Sequence, residues 1–429
     1  MGASSSSTSA GRVETLSDRV TPLKRAARNV FWKALPSPVE RVARFFLFIV
    51  AARVLGSARF GTYQFAATTA ALLGSVTELG IGTWTTRALA RDAASAGRVI
   101  ATGVRVRLAG ALVYSAALLG LCFLEEARRD RIAFVLIGLA TLGGSLVDYV
   151  GAILRGYQEF AREAWTSLAR AVLTTTAALG ALALSGAVVD LATGLLIGSV
   201  ASVAVAVREV RARDRGGGDF AGALIPWSDM GLVPLWLAGL FSVLYFRCDV
   251  VLLHALTNDT EVGHYGAAYR VFEATTLAPA AIMAVAFPRL SQQHTEHAAA
   301  GAAALERKLA ALVGGLGVGT GVLLYSSSDW VVKRAFGYDF TPAAESLRIL
   351  AFAAPPLFLN FALSAFLFAR MRERRYVVLS GALVVFNVLA NLAAIPRWGA
   401  HGAAGVTVLS ELALVVGSLV ALRSSDGPR

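Results

Sequence analysis

The residues of this chain that could do chemistry are charged side chains set inside or at the edges of long apolar runs: Arg41, Arg44, Arg53, Arg247, Asp249, Arg270, Glu273 and Glu411. An isolated arginine at mid-depth in a bilayer costs roughly 2.5–3.5 kcal/mol, so it faces a cavity, a partner or an anionic ligand. Arg270 and Glu273 are three apart and share a helix face. They are either a structural ion pair that locks helices together, or a cationic site for a diphosphate with Glu273 tuning it. Arg247 and Asp249 are two apart, on different faces, which argues against their pairing with each other. Arg41 and Arg44 lie near the inner end of the first apolar run. They read as a positive-inside anchor or as the first contact for an incoming phosphate, whose oxygens a guanidinium can meet bidentately. Arg53, at the outer end of that run, reads as a snorkelling residue at the interface or as a further substrate contact. Glu411, between Ser410 and Leu412, is a protonated and silent group, a hydrogen-bonded one, or a site for H⁺ or Na⁺ coupling, with Asp249 as the second coupling candidate.

The elements that must position these residues are membrane spans. Of 429 residues 56% are hydrophobic and only 16% charged, against about 25% charged in an ordinary soluble protein. The apolar residues fall in blocks of about 20, the length that crosses a bilayer core of about 30 Å. Breaks between blocks predict twelve spans at 39–55, 61–81, 108–124, 132–154, 165–185, 188–208, 229–256, 262–287, 307–325, 346–369, 376–395 and 401–422. The expected fold class is an all-α polytopic membrane protein. A soluble enzyme, a DNA-binding protein and a disulfide scaffold are excluded.

The net charge of +12 is a matter of orientation and does not point to nucleic acid. With the N-terminus placed in the cytoplasm, 29 of the 40 Lys and Arg fall in inside segments and 9 in outside loops. Both termini are therefore expected to be cytoplasmic. Residues 1–38 form a polar, basic, Ser-rich tail without the apolar core of a cleavable signal, and 423–429 a short second tail. Cys122 and Cys248 both lie in apolar blocks and suggest neither a disulfide nor a metal site. No nucleotide-binding loop and no nucleophile–base pair is present, so no cofactor and no ATP hydrolysis are expected.

A basic, Gly-rich linker at 209–228 divides the spans six and six, giving bundles at 39–208 and 229–422. The halves share a pattern. Gly61-Thr-Tyr63-Gln-Phe-Ala66 opens the second span and Gly263-His-Tyr265-Gly-Ala-Ala268 opens the eighth, both reading G-x-Y-x-x-A. Corresponding spans then point the same way, as in a parallel repeat about an axis along the membrane normal.

At these residues the chain resembles the polysaccharide transporter family, the O-antigen-flippase-like branch of the multidrug/oligosaccharidyl-lipid/polysaccharide exporter superfamily. Ala52-Arg53-Val54-Leu55-Gly56 with Arg59-Phe60-Gly61-Thr62-Tyr63 is similar to that family's first outer loop, and Glu78-Leu79-Gly80-Ile81 with Arg87 to its second-helix ending. Leu154-Arg155-Gly156 with Phe160, Val262-Gly263-x-Tyr265 with Ala268 and Arg270, and Phe287-Pro288-Arg289-Leu290-Ser291 continue the likeness. Pro396, Gly399 and Gly402-Ala403-Ala404 resemble the last outer loop. The resemblance implies two six-helix bundles around a central cavity. It also implies a flippase, not an enzyme, that carries an undecaprenyl-diphosphate-linked oligosaccharide across the bacterial inner membrane by alternating access. Lipid-linked oligosaccharide and membrane lipid are then the expected partners; whether a polysaccharide polymerase and a chain-length regulator work beside it stays open. Two alternatives remain: a drug or cation exporter of the same superfamily, and a membrane polysaccharide polymerase or ligase. The exporter would prefer acidic groups in its cavity. The polymerase would need a larger outer loop than the longest here, around 326–345.

Overall fold

The computed structural model describes residue 32 and residues 35–92, 95–123, 128–213, 225, 230, 232–295 and 299–423. Its helices are α1 Pro36–Glu78, α2 Ile81–Arg91, α3 Ala96–Cys122, α4 Arg128–Gly156, α5 Phe160–Ser185, α6 Val188–Arg213 and α7 Leu232–Leu256. They continue with α8 Asp259–Ala274, α9 Leu277–Thr295, α10 Ala299–Ala335, α11 Ala343–Ala351, α12 Ala354–Ala369 and α13 Glu373–Arg423. A 3₁₀ turn at Tyr338–Phe340 stands between α10 and α11.

Helices α1 and α13, with 43 and 51 residues, would be about 65 and 77 Å long at 1.5 Å per residue. Each is twice what a bilayer needs, and each breaks at a glycine with left-handed φ. Gly56 sits at φ 74°, ψ 171° and Gly399 at φ 52°, ψ −132°, conformations that cost a glycine little and other residues much. Nine helical stretches among the described residues are long and apolar enough to cross a membrane, and the pair α11–α12, bent by 48°, makes a tenth. Dividing α1 and α13 at their glycines gives the twelve spans that the hydropathy predicts. This is an all-α, multi-pass membrane protein.

The structure departs from the sequence reading in several places. Span two stops at Glu78 and does not reach Ile81, because Leu79 and Gly80 take left-handed backbone (φ 55° and 69°). The chain then forms α2, an amphipathic helix absent from the hydropathy reading, which buries Ile81, Trp84, Thr85 and Leu89 and exposes Arg87 and Arg91. Helix α6 continues to Arg213, into the expected linker. Helix α10 runs to Ala335 and turns much of the expected outer loop into helix. Most of the tail at 1–38 and of the linker at 209–228 lies outside the described residues.

Helices α1–α6 pack as one bundle and α7–α13 as another, and the two meet mainly where α1 lies along α8. The two G-x-Y-x-x-A segments face one another there. A Cβ on Gly61 would stand 1.7 Å from the Asp259 carbonyl oxygen, and one on Gly263 2.0 Å from the Ser57 carbonyl oxygen. Only glycine allows this approach, and small residues drive helix association in lipid by close backbone packing. Around the contact, Phe48, Phe60, Phe336 and Phe340 form edge-on ring pairs that join the halves in one core. Helix α9, the continuation of α8, packs principally on α10 and α12 of its own half.

Candidate functional site

Four of the sequence-predicted residues gather between the halves. Arg44 on the first span, Arg247 on α7 and Arg270 on α8 all lie close enough to act electrostatically on the Tyr63 hydroxyl of the second span. Arg270 also feels both other arginines and Glu273. Three guanidiniums from both halves thus converge on one region with one carboxylate among them, leaving the region cationic.

Arg270 is held on two sides. Its Nη1 donates to Glu273 Oε2 at 2.7 Å, the i,i+3 pair read from the sequence. Its guanidinium lies 4.5 Å from the centroid of the Phe48 ring, across the boundary between the halves, a cation–π contact. The side chain keeps 23% of its surface exposed, which leaves part of its donor fork available to an anion. Arg44 is exposed, and so is Arg41, one turn earlier on the same helix. The structure shows no described contact that brings Arg41 into the cluster.

Arg53 is elsewhere. At the far end of its span its Nε donates to the Ala335 carbonyl at 2.6 Å and its Nη2 to that of Arg334. A cation from the first half therefore caps the C-terminus of α10 in the second half, where the helix dipole is negative. The reciprocal contact stands beside it. Asp339 Oδ2, from the second half, accepts the backbone N–H of Ser57 at 2.5 Å, just past the Gly56 break in α1. That donor holds the Asp339 carboxyl below the usual carboxylate range. Thr62 of the first half donates to Asp259 Oδ2 of the second at 2.7 Å in the same region, beside a bond within the second half from the Ala400 backbone N–H to Glu261 Oε2 at 2.8 Å. The halves are thus latched at the end that the Lys/Arg asymmetry places outside.

Asp249 and Glu411 lie inside the second half. Asp249 does not turn to Arg247; it accepts the Tyr265 hydroxyl and its own neighbour's Val250 N–H at 2.8 Å. Tyr265 in turn lies 3.3 Å from Thr407 Oγ1 on α13. Glu411, 2% exposed, accepts from the Tyr245 hydroxyl at 3.1 Å and from Asn360 Nδ2 at 2.7 Å. Asn387 donates to Ser410 Oγ at 3.0 Å across the Gly399 break in α13, the interhelical bonding expected of amides in lipid, and accepts from Asn391 at 2.9 Å within its own segment. Among the described residues no group of three or more His, Cys, Asp or Glu is gathered as metal ligands.

Sequence reasoning missed Phe48, Tyr63, Tyr245, Asn360 and Asp339. Tyr63 carried a signal, being the invariant tyrosine of the repeated pattern. Asn360 is the lone amide of an apolar helix. Nothing in the local sequence marks Phe48 or Asp339, whose partners lie in the other half.

The model of the polysaccharide biosynthesis protein family matches residues 26–294. The chain belongs to this family. Its fold is similar to those of solved transporters of the MOP superfamily. An inward-facing multidrug resistance MATE family transporter of that superfamily aligns with TM-score 0.75 at 14% identity, over 89% of this chain and 94% of that one. The lipid II flippase MurJ, in an inward closed conformation, aligns with TM-score 0.74 at 12% identity, over 92% and 88%. A MOP superfamily transporter from Pyrococcus furiosus, described as having a binding pocket of reversed polarity, aligns with TM-score 0.62 at 13% identity, over 92% and 93%. No curated protein matches the sequence.

Proposed function

We propose that this polysaccharide biosynthesis protein is a flippase that moves an undecaprenyl-diphosphate-linked oligosaccharide from the cytoplasmic to the outer leaflet by alternating access. One observation carries the reading: Arg44, Arg247 and Arg270, drawn from three spans and both halves, converge around Tyr63 within the membrane. Three cations with only the Glu273 carboxylate among them are costly at that depth, and a diphosphate of about two charges offsets the excess. Arg41 and Arg44, exposed at the cytoplasmic end of the first span, receive the phosphate, and Arg270 holds it beside Glu273. The lipid tail stays in the bilayer between helices. The halves then rock about the latched contact, and the outer end opens when the Arg53 and Asp339 caps release.

An inside-negative potential favours outward movement of anionic charge by roughly 2.3 kcal/mol per charge per 100 mV. Asp249 and Glu411 are the buried carboxylates through which H⁺ or Na⁺ coupling would act. The membrane is the bacterial inner membrane with both termini cytoplasmic, and a polymerase would receive the cargo outside. A flippase needs no catalytic outer loop, and α10 leaves only a short turn there.

The test is transbilayer movement in proteoliposomes loaded with a fluorescent undecaprenyl-diphosphate glycan, read as label exposed to an impermeant reagent. Wild type should expose it rapidly and Arg270→Ala about tenfold more slowly, the loss of about one charge-assisted bond. Equal rates would make Arg270 structural and remove the site assignment. Wild type that moves no glycan, even under a gradient, would end the flippase reading and leave drug export or polymerisation.

A further inference from the structure

Helices α7, α12 and α13 enclose a part-open cavity of about 230 Å³ inside the second half. Ligand pockets for drug-sized molecules run to about 300–1,000 Å³, so this one suits a single small ring. Its wall sets the aromatic rings of Phe241, Tyr245 and Phe361 among the polar groups of Asn360, Ser364 and Glu411.

Those polar groups are weighted towards acceptors. Each Glu411 oxygen takes one donor, from Tyr245 and from Asn360, whereas a carboxylate offers about four lone-pair sites. The Asn360 side-chain oxygen is buried with no hydrogen-bond partner among the described residues, and the residue is only 6% exposed. Ser364 spends its hydroxyl proton on the Phe361 carbonyl at 3.1 Å, so its oxygen too is left to accept. The lining also carries the Tyr376 hydroxyl, a donor, but a phosphate there would set its negative charge beside the Glu411 carboxylate. A lipid tail would leave the buried acceptors unsatisfied, at about 1–3 kcal/mol each. A sugar ring fits both features: its hydroxyls donate to Glu411, Asn360 and Ser364, and its C–H face lies on the aromatic rings.

The position agrees with the chemistry of the cargo. Tyr245 and Phe246 line the cavity from α7, and Arg247 of the cluster is the next residue on that helix. The cavity therefore adjoins the arginine cluster. In a lipid-linked glycan the first sugar is bonded directly to the diphosphate, so its subsite must adjoin the diphosphate site.

We propose that the cavity between α7, α12 and α13 is the subsite for the sugar ring attached to the diphosphate, with Glu411, Asn360 and Ser364 as acceptors for its hydroxyls and the Phe241, Tyr245 and Phe361 rings as its stacking wall. The proposal rests on the flippase reading and deepens it. It assigns Glu411 to cargo recognition and leaves Asp249 as the coupling carboxylate.

The experiment measures binding of two probes to the purified full-length protein in nanodiscs: undecaprenyl diphosphate alone, and the same lipid carrying one sugar, tested as N-acetylglucosamine, glucose and galactose. Wild type should bind at least one glycosylated lipid about tenfold more tightly than the bare lipid, the yield of one or two net hydrogen bonds. Ser364→Leu, which fills the cavity from α12, should abolish that preference. Ser380→Leu, which fills it from the α13 wall, should do the same and guards against misfolding of the first variant. Arg270→Ala should weaken both probes alike. A glycan preference that survives both leucine variants, or equal binding of all probes by wild type, would overturn the subsite and leave the flippase reading standing. Failure of wild type to bind either lipid would remove both. Binding of tetraphenylphosphonium that Ser364→Leu abolishes, with no glycan preference in wild type, would reassign the cavity to an organic cation and overturn the proposal.

Discussion

Replacing both Arg53 and Asp339 by Ala should open the outer end. The two side chains make three hydrogen bonds between the halves: Arg53 to the Arg334 and Ala335 carbonyls, and Asp339 to the Ser57 N–H. Bonds with one charged partner contribute about 1.5–3 kcal/mol when shielded. Both side chains are exposed, and screening by water reduces each bond to about 0.5–1 kcal/mol. Together they favour the latched state by about 1.5–3 kcal/mol, and their loss should move the equilibrium towards the opened state by roughly 10- to 150-fold. The assay is the distance between spin labels at Leu184→Cys and Trp398→Cys, exposed positions in the two halves near this end, with Cys122 and Cys248 replaced by alanine. The double variant should populate a longer distance that wild type scarcely shows, and each single variant should fall between. An unchanged distribution in the double variant would refute the reasoning, because the Gly61–Gly263 contact alone would then be holding the halves together.

Three further outcomes follow. Asp339 has a depressed folded-state pKa because it accepts the Ser57 N–H, so its contribution to the latch is fully present above the ordinary aspartate value and is lost as pH falls through the lower, latched-state value; the same spin-label distance should lengthen on acidification below about pH 4 in wild type and not respond in Asp339→Asn. Gly263→Ala places a Cβ 2.0 Å from the Ser57 carbonyl oxygen and should destabilise the protein by about 1–3 kcal/mol, read as a fall in melting temperature in detergent, whereas Gly301→Ala, with nothing within 4 Å of its Cβ, should be neutral. Arg370 donates from Nε to Glu306 Oε1 at 3.0 Å, and Glu306 is 7% exposed; Arg370→Ala removes the guanidinium from a buried carboxylate and should cost about 3 kcal/mol, with Arg370→Ala/Glu306→Gln recovering part of it in the same melting assay.

The sequence by itself determined the spans, because a bilayer demands about 20 apolar residues per crossing and the charged breaks between them are local. It also determined the i,i+3 pairing of Arg270 with Glu273, since helix geometry puts those positions side by side. The glycines of the repeated G-x-Y-x-x-A pattern were visible too, and a pattern at equivalent helix starts implies equivalent packing. What local pattern does not carry is the lateral order of the helices. Only the tertiary structure brought Arg44, Arg247 and Arg270 to one place while leaving Arg41 outside and sending Arg53 to a helix end 281 residues away in the chain. It turned Asp249 to Tyr265, joined Glu411 to Tyr245 and Asn360, and set Phe48 against Arg270. Each of these contacts joins different spans, and apolar helices of similar composition can neighbour one another in many orders. The choice among them rests on close packing, such as Gly61 on Gly263, which depends on both surfaces at once.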